Sequence, residues 1–399
     1  MQKNELNLFI EINELNFVFI AGYYNDENNF DIVEKIFTPI EVFEKNKLTN
    51  IDQATMLIKK NVEIIEQKYN FIFKEAILIL DAFNYSCINI SGYKKLNGSQ
   101  ILKENISYIL NSLKLFITDN EKDKTILHIF NSKSILDGVS TDNLPIGLFG
   151  DFYSHELTFF LVGNNDIKNV KKIFHQNNLN VKRFLLKSFV NGTQLVNQNK
   201  DYETFFLIKI EKKKSRIIFF DKSSLRYVEN FKFGTNYLYK DIAKVCSISN
   251  ETIEKFLSDK LFEDQKIIED EYLEDKYFLK QNFRKIRKKL ILDIINSRIE
   301  EFTNIILSKN TNMRSLKHDN IKTYLIIEDE LIFNNFSNNF KIHFSKNSNL
   351  GTDLISDFKM EDTIKNAANI SAYGWKKEAI PIIHTKNSII TRIFNSIFG

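Results

Sequence analysis

TFFLIKIEKKKSRIIFFDKSSLRYVENFKFG, residues 204–234, is the stretch that decides the fold. It reads as three short strands joined by two tight turns. Residues 205–208 and 217–220 are apolar runs, and a third, alternating strand carries Leu225, Tyr227, Phe231 and Phe233. The turns fall at 211–215 and 221–224, and the first holds the lysine run Lys212, Lys213, Lys214. The chain opens on the same pattern. A strand over 8–12 is followed by a turn at 13–16, a strand over 17–21, a turn at 25–29 and a strand over 32–37. One meander therefore occurs twice, about half a chain apart.

A chain of 399 residues exceeds what one core serves well, so two or more subdomains are expected. The 43% hydrophobic and 13% aromatic content supplies ample core, and 27% charged residues cover a soluble surface. The 55 basic and 51 acidic residues are mixed along the chain and leave a net charge of only +4. This is not the electrostatic footprint of a nucleic-acid binder. Two cysteines, Cys87 and Cys246, make no disulfide framework and point to a reducing cytoplasm. Lys3, Glu5 and Glu11 interrupt the apolar start, which excludes a signal peptide, and no apolar run approaches bilayer length. With 12 glycines and 3 prolines against abundant Asn and Asp, turns are expected to rest on Asn and Asp.

In chain order, the first meander leads to a helix over 52–69, with Ala54, Leu57, Ile58, Val62, Ile64 and Ile65 toward one face, then a buried strand over 76–80. Residues 83–178 read as an insertion: a helix over 98–116, strands over 125–130 and 157–162, and a helix over 165–177. A strand over 184–189 returns to the body. After the second meander come a helix over 236–245, a helix-rich charged region over 249–314, a strand over 322–327 and an amphipathic helix over 362–376.

A duplicated meander, each copy followed by helices and strands and each half carrying an insertion, is the plan of the α/β actin and Hsp70 superfamily. The sequence resembles one family within it, the bacterial cell-division protein FtsA. The likeness is carried by Ile126-Leu127-His128-Ile129, Leu144-Pro145-Ile146-Gly147-Leu148, Asn165-Asp166-Ile167-Lys168-Asn169-Val170 and Phe184-Leu185-Leu186, in that order and spacing. It recurs at Ala367-Ala368-Asn369-Ile370-Ser371-Ala372-Tyr373-Gly374. The resemblance implies subdomain 1A from residues 1–82 and 179–200, with the inserted subdomain 1C at 83–178. Subdomain 2A is implied at 201–245 and 320–345, 2B at 246–319, and a helix returning to 1A at 346–379. A linker at 380–387 and a membrane-targeting amphipathic helix at 388–399 complete the plan.

The same resemblance implies a scaffold that tethers the tubulin-like division ring to the inner face of the cytoplasmic membrane at midcell. Such a scaffold self-associates into filaments and recruits later division proteins. Two other classes stay open: an ATPase or phosphotransferase on the same fold, and the actin-like scaffold of pilus machines. The family binds ATP, and this sequence departs from it at the nucleotide motifs. Where the family has Asp-x-Gly-Thr, the first turn reads Glu11-Ile12-Asn13-Glu14. Where it has Asp-x-Gly-Gly-Gly-Thr, the second reads Lys209-Ile210-Glu211-Lys212-Lys213-Lys214. The paired glycines facing adenosine correspond to Glu328 and Asp329. Side chains now stand where the backbone must approach phosphate, so ATP binding is expected to be weakened or lost.

The lysine run at 212–214 either grips phosphate or is a solvated turn. His128, His155, His175, His318, His343 and His384 show no metal-ligand spacing and no partnered nucleophile, so neither a metal nor a catalytic site is expected. The basic run at 284–289 lies in the helix-rich region and serves either as an exposed face balanced by upstream acids or as a docking surface. The resemblance favours docking of the ring protein's tail peptide, with Arg287, Lys288 and Arg298 as candidates, Arg298 lying in Leu292-Asp293-Ile294-Ile295-Asn296-Ser297-Arg298. Over 388–398, Ile389, Ile390, Ile393, Phe394, Ile397 and Phe398 fall on one helical face, with Arg392, Asn395 and Ser396 on the other. That pattern reads as a membrane-surface helix on a short tether, against the alternative of a terminal helix packed on its own domain.

Overall fold

The opening meander forms β1 (Asn7–Ile12), β2 (Asn16–Tyr24) and β3 (Phe30–Pro39). They are antiparallel, with Ile10 opposite Phe19 and Phe19 opposite Ile36. The computed structural model describes residues 5–381 apart from 45, 142, 200, 263–269, 279–281, 315–320 and 347–349. It divides the chain into two units, one drawn from Met1–Lys200, Asp221–Arg226 and Phe358–Gly399, the other from Asp201–Phe220 and Tyr227–Asp357.

In the first unit a ribbon of β4 (Phe43–Glu44) and β5 (Lys47–Leu48) precedes α1 (Ile51–Tyr69). Asn50 caps this helix by accepting from the Gln53 amide, and Asn70 ends it in the left-handed region at φ 48°. The helix buries Ala54, Ile58, Val62 and Ile65. Ile64, expected on that face, is exposed because neighbours on a helix lie about 100° apart around the axis. β6 (Glu75–Leu80) then pairs parallel to β1. Next come β7 (Tyr85–Lys95), α2 (Lys103–Asn120), β8 (Lys124–Leu136), β9 (Val139–Thr141) and β10 (Phe152–Gly163). α3 (Asn164–Gln176), β11 (Asn180–Leu186) and α4 (Lys187–Gln198) lead back, with β11 parallel to β6.

The second unit begins with most of the other meander, β12 (Phe205–Ile210), β13 (Ser215–Asp221) and β14 (Ser224–Phe231), residues 221–226 of which are grouped with the first unit. α5 (Asn236–Cys246), α6 (Asn250–Ser258), α7 (Lys288–Thr303) and the single turn α8 (Thr311–Arg314) follow. β15 (Lys322–Ile327), α9 (Glu330–Ser345) and β16 (Thr352–Leu354) complete it. The chain then returns to the first unit as α10 (Met360–Tyr373) and β17 (Glu378–Pro381).

Both meander sheets have one topology. The first runs β11-β6-β1-β2-β3 and the second β16-β15-β12-β13-β14, each with a strand parallel to the first member of its meander. The duplication read in the sequence is thus a duplication of pairing, not only of pattern. The inserted sheet runs β17-β8-β10-β7, antiparallel throughout, with β9 beside β8. α2 covers one of its faces, seating Ile106, Ile109 and Leu113 in a core with Tyr153, Leu157, Phe159 and Leu161. Gly92 permits that approach, since a Cβ there would lie 2.6 Å from Ile109 Cγ2.

Several expected elements shift. The helix placed over 98–116 is α2 at 103–120, preceded by Gly98 at φ 79°. The strands over 125–130 and 157–162 extend into β8 and β10, while β7, α4 and α9 were not anticipated. The strand over 184–189 is β11, ending at Leu186 where α4 takes over. The third strand of the second meander ends at Phe231, before Phe233. The basic run is not helical before Lys288. The expected helix over 362–376 stops at Tyr373, where Gly374 at φ 78° accepts the turn. The expected tether over 380–387 begins inside β17, whose Ile380 pairs with Ile129. Turns rest on Asn and Asp as read, with Asn28, Asn70, Asn97, Asp137 and Asn178 all at positive φ.

One glycine in the second unit is held by sterics. A Cβ on Gly234 would stand 2.1 Å from the Glu211 carbonyl oxygen. The adjoining amides of Thr235 and Asn236 donate to the carbonyls of Glu211 and Lys212 at 3.0 Å each. Gly234→Ala is expected to destabilise the protein by about 1–3 kcal/mol through this overpacking. Urea unfolding checks it, and an unchanged midpoint contradicts it.

Candidate functional site

In the first unit β1, β6 and β11 are mutually parallel, so their carboxyl ends share one edge, the edge where open α/β sheets place ligands. Three charged side chains meet there. Glu11, near the end of β1, is only 1% exposed, yet it is a carboxylate. Lys187, the first residue of α4, donates to Glu11 Oε1 at 2.7 Å and lies 3.7 Å from Asp81 Oδ2, just past β6. Asn13 shapes the turn between β1 and β2. Its Oδ1 accepts from the amides of Leu15 and Asn16 at 3.0 and 2.8 Å, and its Nδ2 donates to Glu11 at 3.3 Å. Where a phosphate-binding turn needs bare backbone, this turn spends its amides on its own asparagine. Glu11 Oε2 is buried without a protein partner.

Behind this edge runs a chain of buried polar contacts. His128 Nε2 accepts from the Leu186 amide at 3.3 Å, which puts the ring proton on Nδ1, and Nδ1 donates to Glu378 Oε1 at 2.8 Å. Arg183 pairs with the other oxygen of Glu378 and also donates to the Ile370 carbonyl at 2.7 Å. Burial alone pushes the Glu378 carboxyl up. The Arg183 charge and the His128 hydrogen bond more than reverse that and hold it at about 2. His128, read from the sequence as an ordinary residue, therefore joins β17 to the start of α4.

In the second unit the corresponding edge is formed by β12 and β15. Lys209 Nζ lies 2.7 Å from Asp357, 3.4 Å from Glu211 and 3.7 Å from Glu328. Burial disfavours its charge, but the three carboxylates outweigh burial and hold its pKa above the ordinary lysine value. Lys214 adds a contact to Glu211 at 3.7 Å, while Lys212 and Lys213 project into solvent at the turn. Asp329 caps α9, accepting from the Ile332 amide at 3.2 Å. Its oxygens also accept from Thr235 Oγ1 at 3.0 Å and Tyr239 at 3.2 Å. Burial, then Asp329, pushes the Tyr239 hydroxyl pKa up.

The candidate docking residues do not form one cluster. Lys288 starts α7 and pairs with Glu271 at 2.9 Å, and Arg287, just before it, donates to the Tyr272 hydroxyl at 3.4 Å. Arg298 sits roughly 15 Å further along α7, at 1.5 Å rise per residue. There it pairs with Asp241 and Glu301 and lies over the Tyr237 ring. Among the described residues no group of histidine, cysteine or acidic side chains is set to hold a metal, and no helix is long and apolar enough to cross a membrane. Ile389, Ile390, Arg392, Ile393, Phe394, Ile397 and Phe398 lie outside the described residues. The sequence reading found Glu11, Lys209, Glu211, Glu328 and Asp329 through the altered motifs. It missed Lys187, Asp81, Asp357 and the Arg183–Glu378–His128 chain, which follow no short motif.

No protein-family model matches the sequence, and comparison with curated proteins finds no match. Similar solved structures include the PilM-PilN type IV pilus biogenesis complex. It has a TM-score of 0.51 at 8% identity, covering 91% of this chain and 95% of that chain. MreB5 of Spiroplasma citri bound to ADP gives 0.44 at 11% identity over 92% and 96% of the two chains. The ethanolamine utilization protein EutJ from Carboxydothermus hydrogenoformans gives 0.42 at 9% over 91% and 89%. At such identities the likeness is one of fold, and with the duplicated sheet topology it establishes the actin-like ATPase fold.

The buried Glu378 yields an acid-limb prediction. Its pKa is depressed from 4.5 to about 2, so its stabilising effect is complete above pH 4.5 and is lost as pH falls toward 2. The stability gap between the protein and Glu378→Gln is expected to narrow by about 3 kcal/mol across that interval. Urea titrations at stepped pH read the gap, and a gap independent of pH contradicts the assignment.

Proposed function

We propose that this actin-like chain is a scaffold without nucleotide turnover, tethering the tubulin-like ring of bacterial cell division to the cytoplasmic membrane. One observation carries the non-enzymatic part. At the strand ends of both units the lysine is already engaged by carboxylates, Lys187 by Glu11 and Asp81, and Lys209 by Glu211, Glu328 and Asp357. These residues do not fit a magnesium triphosphate. Glu211 and Glu328 bring like charge toward a polyanion, and the Asp329 carboxylate fills the helix terminus that would face adenosine. The division role is supported by the FtsA-like motifs and by the amphipathic pattern of residues 388–398.

A second reading is a scaffold of a pilus machine, supported by the similarity to the PilM-PilN complex. The two separate in the cell, because a fluorescent fusion gathers at midcell on the first reading and not on the second. ATP is expected to bind no tighter than the millimolar range, and calorimetry showing micromolar affinity overturns the loss of nucleotide.

On this reading the terminal helix orders at the lipid interface, since so short a helix is marginal in water. Lys386 and Arg392 each add roughly 1 kcal/mol near anionic lipid, so one copy binds weakly and filaments gain by avidity. Liposome co-sedimentation compares the full chain, a chain ending at His384, and Ile393→Glu with Phe394→Glu. Only the full chain is expected to pellet with anionic vesicles. Equal pelleting of the truncated chain contradicts the tether.

A further inference from the structure

The inserted sheet ends on an unusually long open edge. β7 has eleven residues, and β10 is its one strand partner among the described residues. An edge strand presents a row of backbone donors and acceptors ready to pair with another chain. β3, the other edge of comparable length, is managed differently. It ends in Pro39, and its Glu34 and Lys35 pair with Lys68 of α1 and Glu361 of α10. β17 and β16 are too short to serve as templates.

The two faces of β7 are chemically distinct. Ile88 and Ile90 pack against the α2 core, Gly92 lies under Ile109, and Lys94 sits over the Tyr108 ring. On the opposite face Asn89, Ser91, Tyr93 and Lys95 are exposed, Tyr93 by 67% and stacked on Phe152. We propose that β7 pairs antiparallel with β7 of a second copy of this chain, with Ile90 on the two-fold axis. The inserted sheets of the two copies then become one continuous sheet.

Three constraints select this arrangement. Parallel pairing sets Lys94 and Lys95 beside their own copies, whereas antiparallel pairing separates the two lysine ends by roughly 34 Å. Shifting the register by one residue would turn Ile88 and Ile90 away from the partner's apolar face, which leaves only shifts by two. Of those, the register centred on Ile90 is the one that pairs all eleven residues. It sets Ile90 against Ile90, Ile88 against Gly92, Asn89 against Ser91, Cys87 against Tyr93, and Lys95 against the ring of Tyr85. The contact is isologous and closes as a dimer. This inference rests on the self-association in the reading above. Its test is made in solution without lipid, so tether and dimer fail separately.

Cys87 is in no disulfide, and Tyr93 is exposed on the same face, opposite it in the predicted pairing. Within one strand the two positions are about 20 Å apart, beyond any disulfide, so a bond between residues 87 and 93 must join two copies. Tyr93→Cys in the full chain, oxidised mildly with copper phenanthroline, is expected to give a covalent dimer whose peptides link residues 87 and 93. Its yield should exceed that of the Cys87→Ser, Tyr93→Cys control by about tenfold. In a Cys87→Ser background, Ser86→Cys with Lys94→Cys reads the same register from the other face, where residues 86 and 94 should link. Monomer after oxidation in both variants, or bonds joining 93 to 93 and 94 to 94 instead, overturns the proposal.

Discussion

At the end of each set of parallel strands a single lysine bridges the carboxylates gathered there and offsets part of their charge. Parallel strands bring their carboxyl ends to one edge, so charged residues that follow each strand accumulate there. In the first unit Glu11 is nearly inaccessible to water and is tolerable as a carboxylate because Lys187 reaches it. Lys187 thereby couples the first residue of α4 to the ends of β1 and β6. In the second unit Lys209 plays the corresponding part, against carboxylates contributed by the meander turn, the end of β15 and the segment after β16. The two units reach the same electrostatic solution from different strands.

The Arg183–Glu378–His128 chain extends this logic to the end of the described chain. Arg183 holds the last turn of α10 through the Ile370 carbonyl, Glu378 holds β17, and His128 passes the contact to the Leu186 amide. A single buried carboxylate thus ties four segments together, because removing any partner leaves an unpaired charge or donor in a dry interior. β17 leads directly into residues 382–399. On the proposed reading, a membrane-bound tail would act on a firmly anchored strand.

Strand ends whose lysines are already paired with carboxylates also bear on what such a protein can do. A scaffold needs surfaces that bind repeatedly and weakly, and it does not need a bond-breaking step. On the proposed reading the open edge of β7 and the amphipathic pattern of residues 388–398 are features of that kind, the first for joining copies and the second for joining lipid.

Sequence pattern by itself determined the duplicated meander, since apolar runs of strand length between Asn- and Lys-rich turns leave little choice of secondary structure. It also determined α1 and α5, where helical periodicity is strong, and β15, a short apolar run whose six residues are all buried. α9 was hidden because Asn335 and Asn339 interrupt its apolar face, and both are buried there with partners that only folding supplies, Leu257 and Asn296. α4 was hidden because Gly192 and Thr193 are weak helix formers, outweighed by the burial of Phe189, Val190, Leu195 and Val196. At the candidate site, the altered turns were legible because glycine has a local role. Lys187, Asp81 and Asp357 were not, because an ion pair between residues far apart in sequence leaves no spacing to read. Their charges find each other only once parallel strands bring the chain to a common edge.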